Sequence, residues 1–327
     1  MMLKRNRSFW FSVSSAVFFG AVVCGPVRGY AQTGASLSLY QTNFEFSEGF
    51  DPGFSLVGQG GWVGSDTGGN GLVAGFFEDH NQHAFLGFTL PLVKDTAFLN
   101  VWKPISFIPS ATQSTVQFSV RMQIVPSTDG HFDDFRWSFY NTAAERLFTI
   151  DFDTTALQIS YSLDKPTDFT STGLGFDTLG FYDLEVWMDF TRNLWSATVN
   201  DVVIVNSKPI TATGAVLTLG DINAVWAVRQ PGTPGNNYMV FDDYSISVTN
   251  DSSIPPRVEQ LGIGTNRAFI LRVFGEEGLN YAVEATADGL QWETVRTFKA
   301  PTGGVFDFED ADALRTPIRF FRARHVL

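Results

Sequence analysis

The sequence has few of the residues that carry thiol, redox and cross-linking chemistry. One of its 327 residues is a cysteine, Cys24, and four are histidines. With a single cysteine the chain has no internal disulfide, so a folded domain depends on the size of its core or on a bound ion. Basic residues are also scarce, 22 against 34 acidic ones, which gives a net charge of −12. This acidic balance argues against nucleic acid and anionic membranes as partners and is compatible with neutral glycans and divalent cations.

The patterns of several common enzyme classes are absent as well. No stretch of the sequence shows the 3.6-residue periodicity of a long amphipathic helix. No Ser-His-Asp or Cys-His arrangement, phosphate-binding loop or dinucleotide fingerprint occurs. The sequence therefore offers no support for nucleophilic hydrolases of those types or for nucleotide-dependent enzymes.

Aromatic residues and glycine are abundant. The chain contains 32 Phe, 8 Trp and 30 Gly, and hydrophobic residues make up 44% of the composition. Aromatic richness combined with frequent glycine is typical of many strands joined by turns. The length suffices for one large domain and one small one.

The N-terminus has the layout of a secretory signal peptide. A basic start precedes an apolar run over residues 9–24, and small residues follow at Gly29 and Ala31. We expect cleavage after Ala31, which removes residues 1–31 and the only cysteine and sends the mature chain to the periplasm or the cell exterior. An uncleaved membrane anchor and a lipoprotein signal are the alternatives, but the run is shorter than the ~20 residues that span a bilayer. No other segment is long and apolar enough to cross a membrane.

One boundary divides the remaining chain. The run NDSSIPPRVEQ is polar and contains two adjacent prolines, which stiffen a linker and block regular strand pairing. The sequence therefore predicts a large domain over residues 37–249, a linker over 250–257 and a small domain over 258–327.

The large domain is a succession of alternating segments. In TVQFSVRMQIV an apolar residue stands at every second position from Val116 to Ile124, which predicts a half-buried strand. About a dozen such segments follow one another without a helical crossover. This pattern predicts an all-β fold, an antiparallel two-sheet jelly-roll sandwich. Five further segments in the small domain predict a compact immunoglobulin-like or fibronectin-like β-sandwich.

Three stretches of the large domain resemble a known fold family. TNFEFSEGF…GQGGW, YDLEVWMDFTRNLWSATVNDVVI and NNYMVFDDYSISV resemble a concanavalin A-like (laminin G-like) jelly roll, and the resemblance covers residues 37–249. The C-terminal stretch is similar to small β-modules of secreted bacterial proteins, which serve as attachment or spacer units. The family includes lectins, glycosidases, lyases and adhesion modules, so the resemblance implies the fold and leaves the function open.

The segment YDLEVWMDF is the best candidate for a ligand site. Period-two alternation places Asp183, Glu185, Trp187 and Asp189 on one face of a strand. A tryptophan ring can stack on a pyranose while carboxylates accept from its hydroxyl groups, so we predict Asp183, Glu185 and Trp187 as ligand-binding residues. If the protein is an enzyme, Asp183, Glu185 and Asp189 are the candidate catalytic acids, because glycosidases need a pair of carboxyl groups. The alternative is a solvated strand face without a ligand.

The segment NNYMVFDDYSISV contains two adjacent acids, Asp242 and Asp243, inside an apolar run. The apolar residues are odd-numbered before this pair and even-numbered after it, which predicts a β-bulge there. The resemblance to jelly-roll binding modules implies a structural calcium ion between the first and last strands, held by Glu45 with Asp242 and Asp243. A bulge with hydrogen bonds and no metal is the alternative.

Two polar loops are weaker metal candidates. Two histidines three residues apart with flanking acids could bind a transition metal, and an acidic, glycine-containing turn could bind calcium. The residues concerned are Glu78, Asp79, His80 and His83 in the first loop and Asp129, Asp133 and Asp134 in the second. Ordinary polar surface loops are the alternative for both.

These observations predict a secreted, non-enzymatic carbohydrate-binding or adhesion protein. Its expected partner is a glycan or a cell-surface polysaccharide. The alternatives are a polysaccharide-cleaving hydrolase or lyase on the same jelly roll, and a structural component of a cell surface or matrix.

Overall fold

The computed structural model describes residues 37–326 with gaps. The residues outside the description are 1–36, 66–67, 78–79, 89–95, 111–112, 165–167, 179, 250–255, 265–267, 288–290, 312–318 and 327. The predicted signal peptide, most of the predicted linker and the acids Glu78 and Asp79 therefore lie outside the described residues. The described part forms two compact units, one within Tyr30–Ile254 and one within Pro255–Leu327.

The first unit consists of strands, turns and one short 3₁₀ helix, Phe46–Glu48. Its strands are β1 (Leu37–Thr42), β2 (Val63–Gly64), β3 (Asn70–Val73), β4 (His83–Gly87), β5 (Phe98–Trp102), β6 (Thr115–Val125), β7 (Asp134–Tyr140), β8 (Arg146–Asp153), β9 (Gln158–Leu163), β10 (Thr170–Gly175), β11 (Tyr182–Asp189), β12 (Leu194–Val199), β13 (Val202–Pro209), β14 (Asp221–Ala227) and β15 (Tyr238–Thr249). None of the helices in the described part of the chain is long or apolar enough to cross a bilayer.

The strands of the first unit form two antiparallel sheets. The eight-stranded sheet has the order β13-β12-β11-β6-β15-β4-β3, and β1 pairs with β15 in addition. The seven-stranded sheet has the order β10-β9-β8-β7-β14-β5-β2. One continuous apolar core contains side chains from both sheets. This architecture confirms the predicted all-β, two-sheet jelly-roll sandwich.

Period-two alternation positions the core residues. Each apolar residue that was predicted to face inward on β6 is at most 2% exposed, and Phe118 of that strand packs on Trp137 of β7 with ring centroids 5.3 Å apart. Deeper in the same core Phe148 stacks between Phe139 and Trp195, at 4.3 Å and 3.9 Å. Because successive side chains point to opposite faces, the residues between them lie on the outer face of each sheet.

The central segment of the eight-stranded sheet forms two successive hairpins. Strands β11, β12 and β13 are consecutive neighbours in the eight-stranded sheet. The turn between β12 and β13 has Asn200 and Asp201 at φ 49° and 63°. Two consecutive positive φ values are the geometry of the type I′ hairpin turn, which Asn and Asp tolerate better than other non-glycine residues.

The second unit is also built of strands alone among its described residues. They are β16 (Arg257–Ile263), β17 (Phe269–Phe274), β18 (Asn280–Thr286), β19 (Glu293–Lys299), β20 (Val305–Asp310) and β21 (Phe320–Val326). They form two three-stranded sheets, β16-β17-β20 and β19-β18-β21, around a small core that includes Leu271 and Val283. The sequence predicted five strands, and the additional one, β16, begins inside the segment assigned to the linker.

Candidate functional site

The closing strand β15 contains the predicted bulge. Asp242 lies opposite Arg121 of β6, and the next registered pair is Ser245 with Ser119. Two residues of β15 therefore stand against a single residue of β6, which is the definition of a bulge. Asp243 has a left-handed backbone, with φ 50°. As a result Asp242 and Asp243 both lie on the outer face of the sheet, although they are neighbours in sequence.

The side chain of Asp242 is fully buried beneath two histidines. Its Oδ2 atom lies 2.7 Å from Nδ1 of His80 and 2.8 Å from Nδ1 of His83. Its Oδ1 atom accepts a hydrogen bond of 2.8 Å from the backbone N–H of Asp243. Each carboxylate oxygen thus has a donor, which a buried acid requires.

The hydrogen bonds of His83 indicate which of its two ring nitrogens carries the proton. Its Nε2 atom accepts from the backbone N–H groups of Phe76 and Phe77, at 3.3 Å and 3.2 Å. An atom that faces two donors carries no proton, so the proton of this imidazole is on Nδ1 and is donated to Asp242. The ring of Phe77 covers His83 at a centroid distance of 4.7 Å.

His80 has one ring nitrogen inside the cluster and one at its edge. While Nδ1 meets Asp242, Nε2 lies 3.4 Å from Nδ2 of Asn43 and 3.6 Å from Oδ1 of Asp243. Ligand atoms of His80, Asp242 and Asp243 all lie within 4.8 Å of one another, so these three residues could hold a metal ion. Burial raises the pKa of Asp243, and the neighbouring carboxylate of Asp242 adds to that rise.

The structure does not bring Glu45 into this group. The residue lies outside β1 and precedes the 3₁₀ helix, because Phe44 adopts a left-handed conformation (φ 54°) just after the strand ends. The carboxylate of Glu45 accepts from the backbone N–H of Asn81 at 2.8 Å and from its side-chain amide at 3.3 Å. Calcium takes six to eight oxygen ligands, whereas two imidazoles surround Asp242, so the donors do not fit calcium.

The predicted carboxylate row of β11 begins beside the bulge. Asp183 lies opposite Arg121 in register and accepts a hydrogen bond of 2.9 Å from its Nε atom. Nη1 of the same arginine lies 3.6 Å from Oδ2 of Asp243. Arg121 thereby links the β11 row to the bulge on β15, a connection across three strands that the sequence did not indicate.

The other members of the row differ in exposure. Glu185 is half-buried and lies between Ser119 and Thr198 of the neighbouring strands. Trp187 is 5% exposed, so its ring face is covered. Asp189 is equally buried and accepts from the backbone N–H groups of residues 191 and 192 and from Nε of Arg192, which closes the β11–β12 turn.

An exposed aromatic ring precedes this row. Phe181 has the same parity as Asp183 and Glu185, is 53% exposed, and packs on Phe77 at a centroid distance of 5.6 Å. Phe181 is absent from the residues predicted for this site, although its parity with Asp183 is a sequence signal for a place on the same face. Together with half-buried polar residues of β6 and β15 it forms what we call the polar face, which consists of Gln117, Ser119, Arg121, Phe181, Asp183, Glu185, Asp243, Ser245 and Ser247.

The acids of the second predicted metal loop point to separate partners. Asp133 is buried and accepts from Nε1 of Trp226 at 3.0 Å and from the backbone N–H groups of residues 229 and 235. Asp134 pairs with Arg229 at 2.8 Å, and burial raises its pKa. Asp129 caps its own turn through Ser127. These carboxylates satisfy protein donors and do not converge on a common point.

Two small cavities lie away from the polar face. One of about 260 Å³ is lined by His131, Phe132 and Arg229 among others, and one of about 230 Å³ by Ser106, Asn141 and Asp221 among others. Asp183 and Asp242 line neither of them, whereas Asp133 lines the first.

Comparisons with known proteins are limited to the fold. No protein-family model matches the sequence, and no curated protein matches it. Solved structures similar to this chain include a basic winged bean lectin with Tn-antigen (10% identity, TM-score 0.45, 66% of this chain and 99% of the lectin). They also include a carbohydrate esterase from the Shiga toxin-encoding bacteriophage phi24B (13%, 0.47, 66% and 100%) and a sialidase (10%, 0.43, 64% of this chain and 18% of that chain). These identities and TM-scores assign no ligand and no reaction to this chain.

Proposed function

We propose that this chain is a secreted, non-enzymatic carbohydrate-binding protein whose ligand lies across the polar face. The observation that supports this proposal is the alignment of half-exposed polar side chains from adjacent strands. Glu185 stands opposite Ser119, and Ser119 stands opposite Ser245, in one row across β11, β6 and β15.

The polar face contains both donors and acceptors. Sugar hydroxyl groups donate and accept hydrogen bonds, so a glycan site needs both kinds of partner. The guanidinium of Arg121 donates only, the carboxylates of Asp183 and Glu185 accept only, and the serine hydroxyls do either. Since the side chains of Arg121 and Asp183 are 30% and 44% exposed, both reach solvent while they are paired with each other.

Phe181 supplies the aromatic contact in this proposal. An aromatic ring can stack on the apolar face of a sugar, and this ring lies at the open end of the row, beside Asp183. Trp187, which the sequence favoured for this role, lies on the same face of β11 but at its covered end, where the side chain is 5% exposed. The proposed ligand-binding residues are therefore Asp183, Glu185 and Phe181.

A polysaccharide-cleaving enzyme on the same face is the second candidate. It would need two carboxyl groups free to act as an acid and a base or nucleophile. Among the three candidate acids Asp189 closes a turn with Arg192, and Asp183 is paired with Arg121. Two of the three candidate acids are thus engaged by arginine side chains, which favours binding without cleavage.

The test is retention on polysaccharides and on a glycan array, with two matched variants. Phe181→Ala removes the exposed ring of the polar face, and Phe98→Ala removes an equally exposed ring from β5 of the other sheet, since both are 53% exposed. We expect Phe181→Ala to weaken glycan binding by about three- to tenfold, the usual range for one aromatic contact, and Phe98→Ala to bind like the wild type.

Two results would contradict the proposal. Failure of the folded wild-type chain to bind any glycan would favour a structural surface or matrix component. Release of reducing ends by the wild type, lost in Glu185→Gln, would show an enzyme in place of a binding protein.

A further inference from the structure

We propose that His80 and Asp243 form a binding site for a zinc-class divalent ion, and that the buried Asp242 orients His80 from behind. The site lies at the bulge of β15 and is independent of glycan binding. Two features support it, the direction of the two ring nitrogens of His80 and the groups that surround them.

The proton of the His80 ring lies on Nδ1. Nδ1 is 2.7 Å from Oδ2 of Asp242, a carboxylate with no exposure to solvent. A buried carboxylate accepts hydrogen bonds, so this nitrogen donates. In the neutral ring the lone pair is then on Nε2, which points away from Asp242.

The lone pair of Nε2 faces a second acceptor. Oδ1 of Asp243 lies 3.6 Å from it. Zinc bonds of about 2.1 Å to nitrogen and to oxygen place two tetrahedral ligand atoms about 3.4 Å apart. The two atoms are therefore at nearly the separation that one ion imposes on a pair of its ligands.

Asn43 and solvent can complete the coordination. The side-chain amide of Asn43 lies 3.4 Å from Nε2 of His80, and rotation of that amide by 180° exchanges its nitrogen for its oxygen. The side chain of His80 is 17% exposed and that of Asp243 is 38% exposed, so water has access to the ion. The site resembles an open metal site more than a closed structural one.

The groups behind His80 form a supporting shell. A carboxylate that accepts from the second nitrogen of a metal-bound histidine fixes the tautomer and the orientation of its ring. Asp242 has this relation to His80, and Asp242 is itself fixed by His83 and by the backbone N–H of Asp243. The bulge explains why Asp243 is available, since it turns this side chain toward His80.

The donor set selects the class of ion. An imidazole nitrogen together with a carboxylate suits zinc and its first-row neighbours, whereas calcium prefers a cage of oxygens. Glu45, the oxygen ligand that calcium would have needed, is bound to Asn81. These donors therefore suit a zinc-class ion and not the calcium ion that the resemblance implies.

The experiment titrates the metal-free full chain with zinc chloride by calorimetry and with cobalt chloride by visible absorption, in the absence of carbohydrate. We expect one site in the wild type and loss of that site in His80→Ala. We expect Asp243→Asn to weaken zinc binding by roughly 10–100-fold or more, since even the loss of a group that only orients a metal ligand weakens binding by that factor. Because Asp243 is half-exposed and Asn is isosteric with it, this variant keeps the fold.

The matched control is His131→Ala. Nδ1 of His131 also lies 3.6 Å from a carboxylate oxygen, that of Asp129, but both side chains of this pair are exposed, at 46% and 38%. Its removal should leave the titration unchanged. The proposal is overturned if the wild type binds no zinc, if His80→Ala binds it as tightly as the wild type, or if calcium binds more tightly than zinc.

Discussion

Nδ1 of His83 lies 2.8 Å from Oδ2 of Asp242, and neither side chain is exposed to solvent. The two residues are 159 positions apart, on adjacent strands β4 and β15. This contact gives the adjacent acids of the closing strand different roles. Asp242 is an internal hydrogen-bond acceptor, whereas Asp243 remains available at the surface.

Replacement of Asp242 by Asn should destabilise the first unit. An amide presents an NH₂ group where one carboxylate oxygen accepted, so at least one buried donor faces another donor. We expect Asp242→Asn to lower the free energy of unfolding by about 2–3 kcal/mol, measured by urea denaturation. Asp201→Asn is the control, because this exposed turn residue adopts a conformation that Asn tolerates, and it should change stability by less than about 0.5 kcal/mol. Equal effects of the two substitutions would refute the role given to Asp242.

Asp133 should be a second residue whose substitution strongly destabilises the first unit. Its two oxygens accept from three donors, one of them the indole N–H of Trp226. We expect Asp133→Asn to cost about 3 kcal/mol, with or without a chelator, because these donors belong to the protein and not to an ion. Asp129→Asn, in the same loop but half-exposed, should cost clearly less. A loss that appears only after removal of calcium would show that the loop binds calcium after all.

Asp221 should make stability depend on pH. Burial raises its pKa to about 6, and the hydrogen bond from Asn223 opposes that rise only in part. The folded pKa lies above the unfolded value of about 3.9, so the folded state binds the proton more tightly. The contribution of this carboxyl to stability is therefore fully present below about pH 4 and is lost as pH rises through 6.

The variant Asp221→Asn isolates this effect. At pH 7.5 it avoids the buried charge and should be more stable than the wild type by about 1 kcal/mol, a value reduced because solvent reaches part of the site. At pH 4 the wild-type carboxyl is protonated, and the two proteins should unfold alike. A difference that stays constant between pH 4 and 7.5 would contradict the assignment.

Several local features could be predicted because each depends on residues that are close in sequence. The odd-to-even change around Asp242 and Asp243 predicted the bulge, since side chains alternate with a fixed period of two. The same period predicted the inward face of β6. Strand β16 was missed because its polar, proline-preceded sequence looks like a linker, and its pairing with β17 outweighs that local signal.

The candidate site could be predicted only in part. Alternation placed Asp183, Glu185, Trp187 and Asp189 on one face, and the pairing with β6 and β12 agrees with that. The alternation of side chains does not show which end of this face is covered by other segments of the chain. Trp187 is buried and Phe181 is exposed, and this difference depends on neighbouring segments rather than on β11 itself.

The amino-acid sequence by itself determined the class of fold, because hydrophobic periodicity and turn residues act over a few positions. It also determined that the closing strand must be distorted at its acidic pair. The tertiary structure alone decided the partners of those acids. Strand order brings β4 beside β15, so Asp242 meets His80 and His83 rather than Glu45. Contacts between residues some 160 positions apart follow from the order of strands in a sheet. A pattern of a few neighbouring residues does not predict that order.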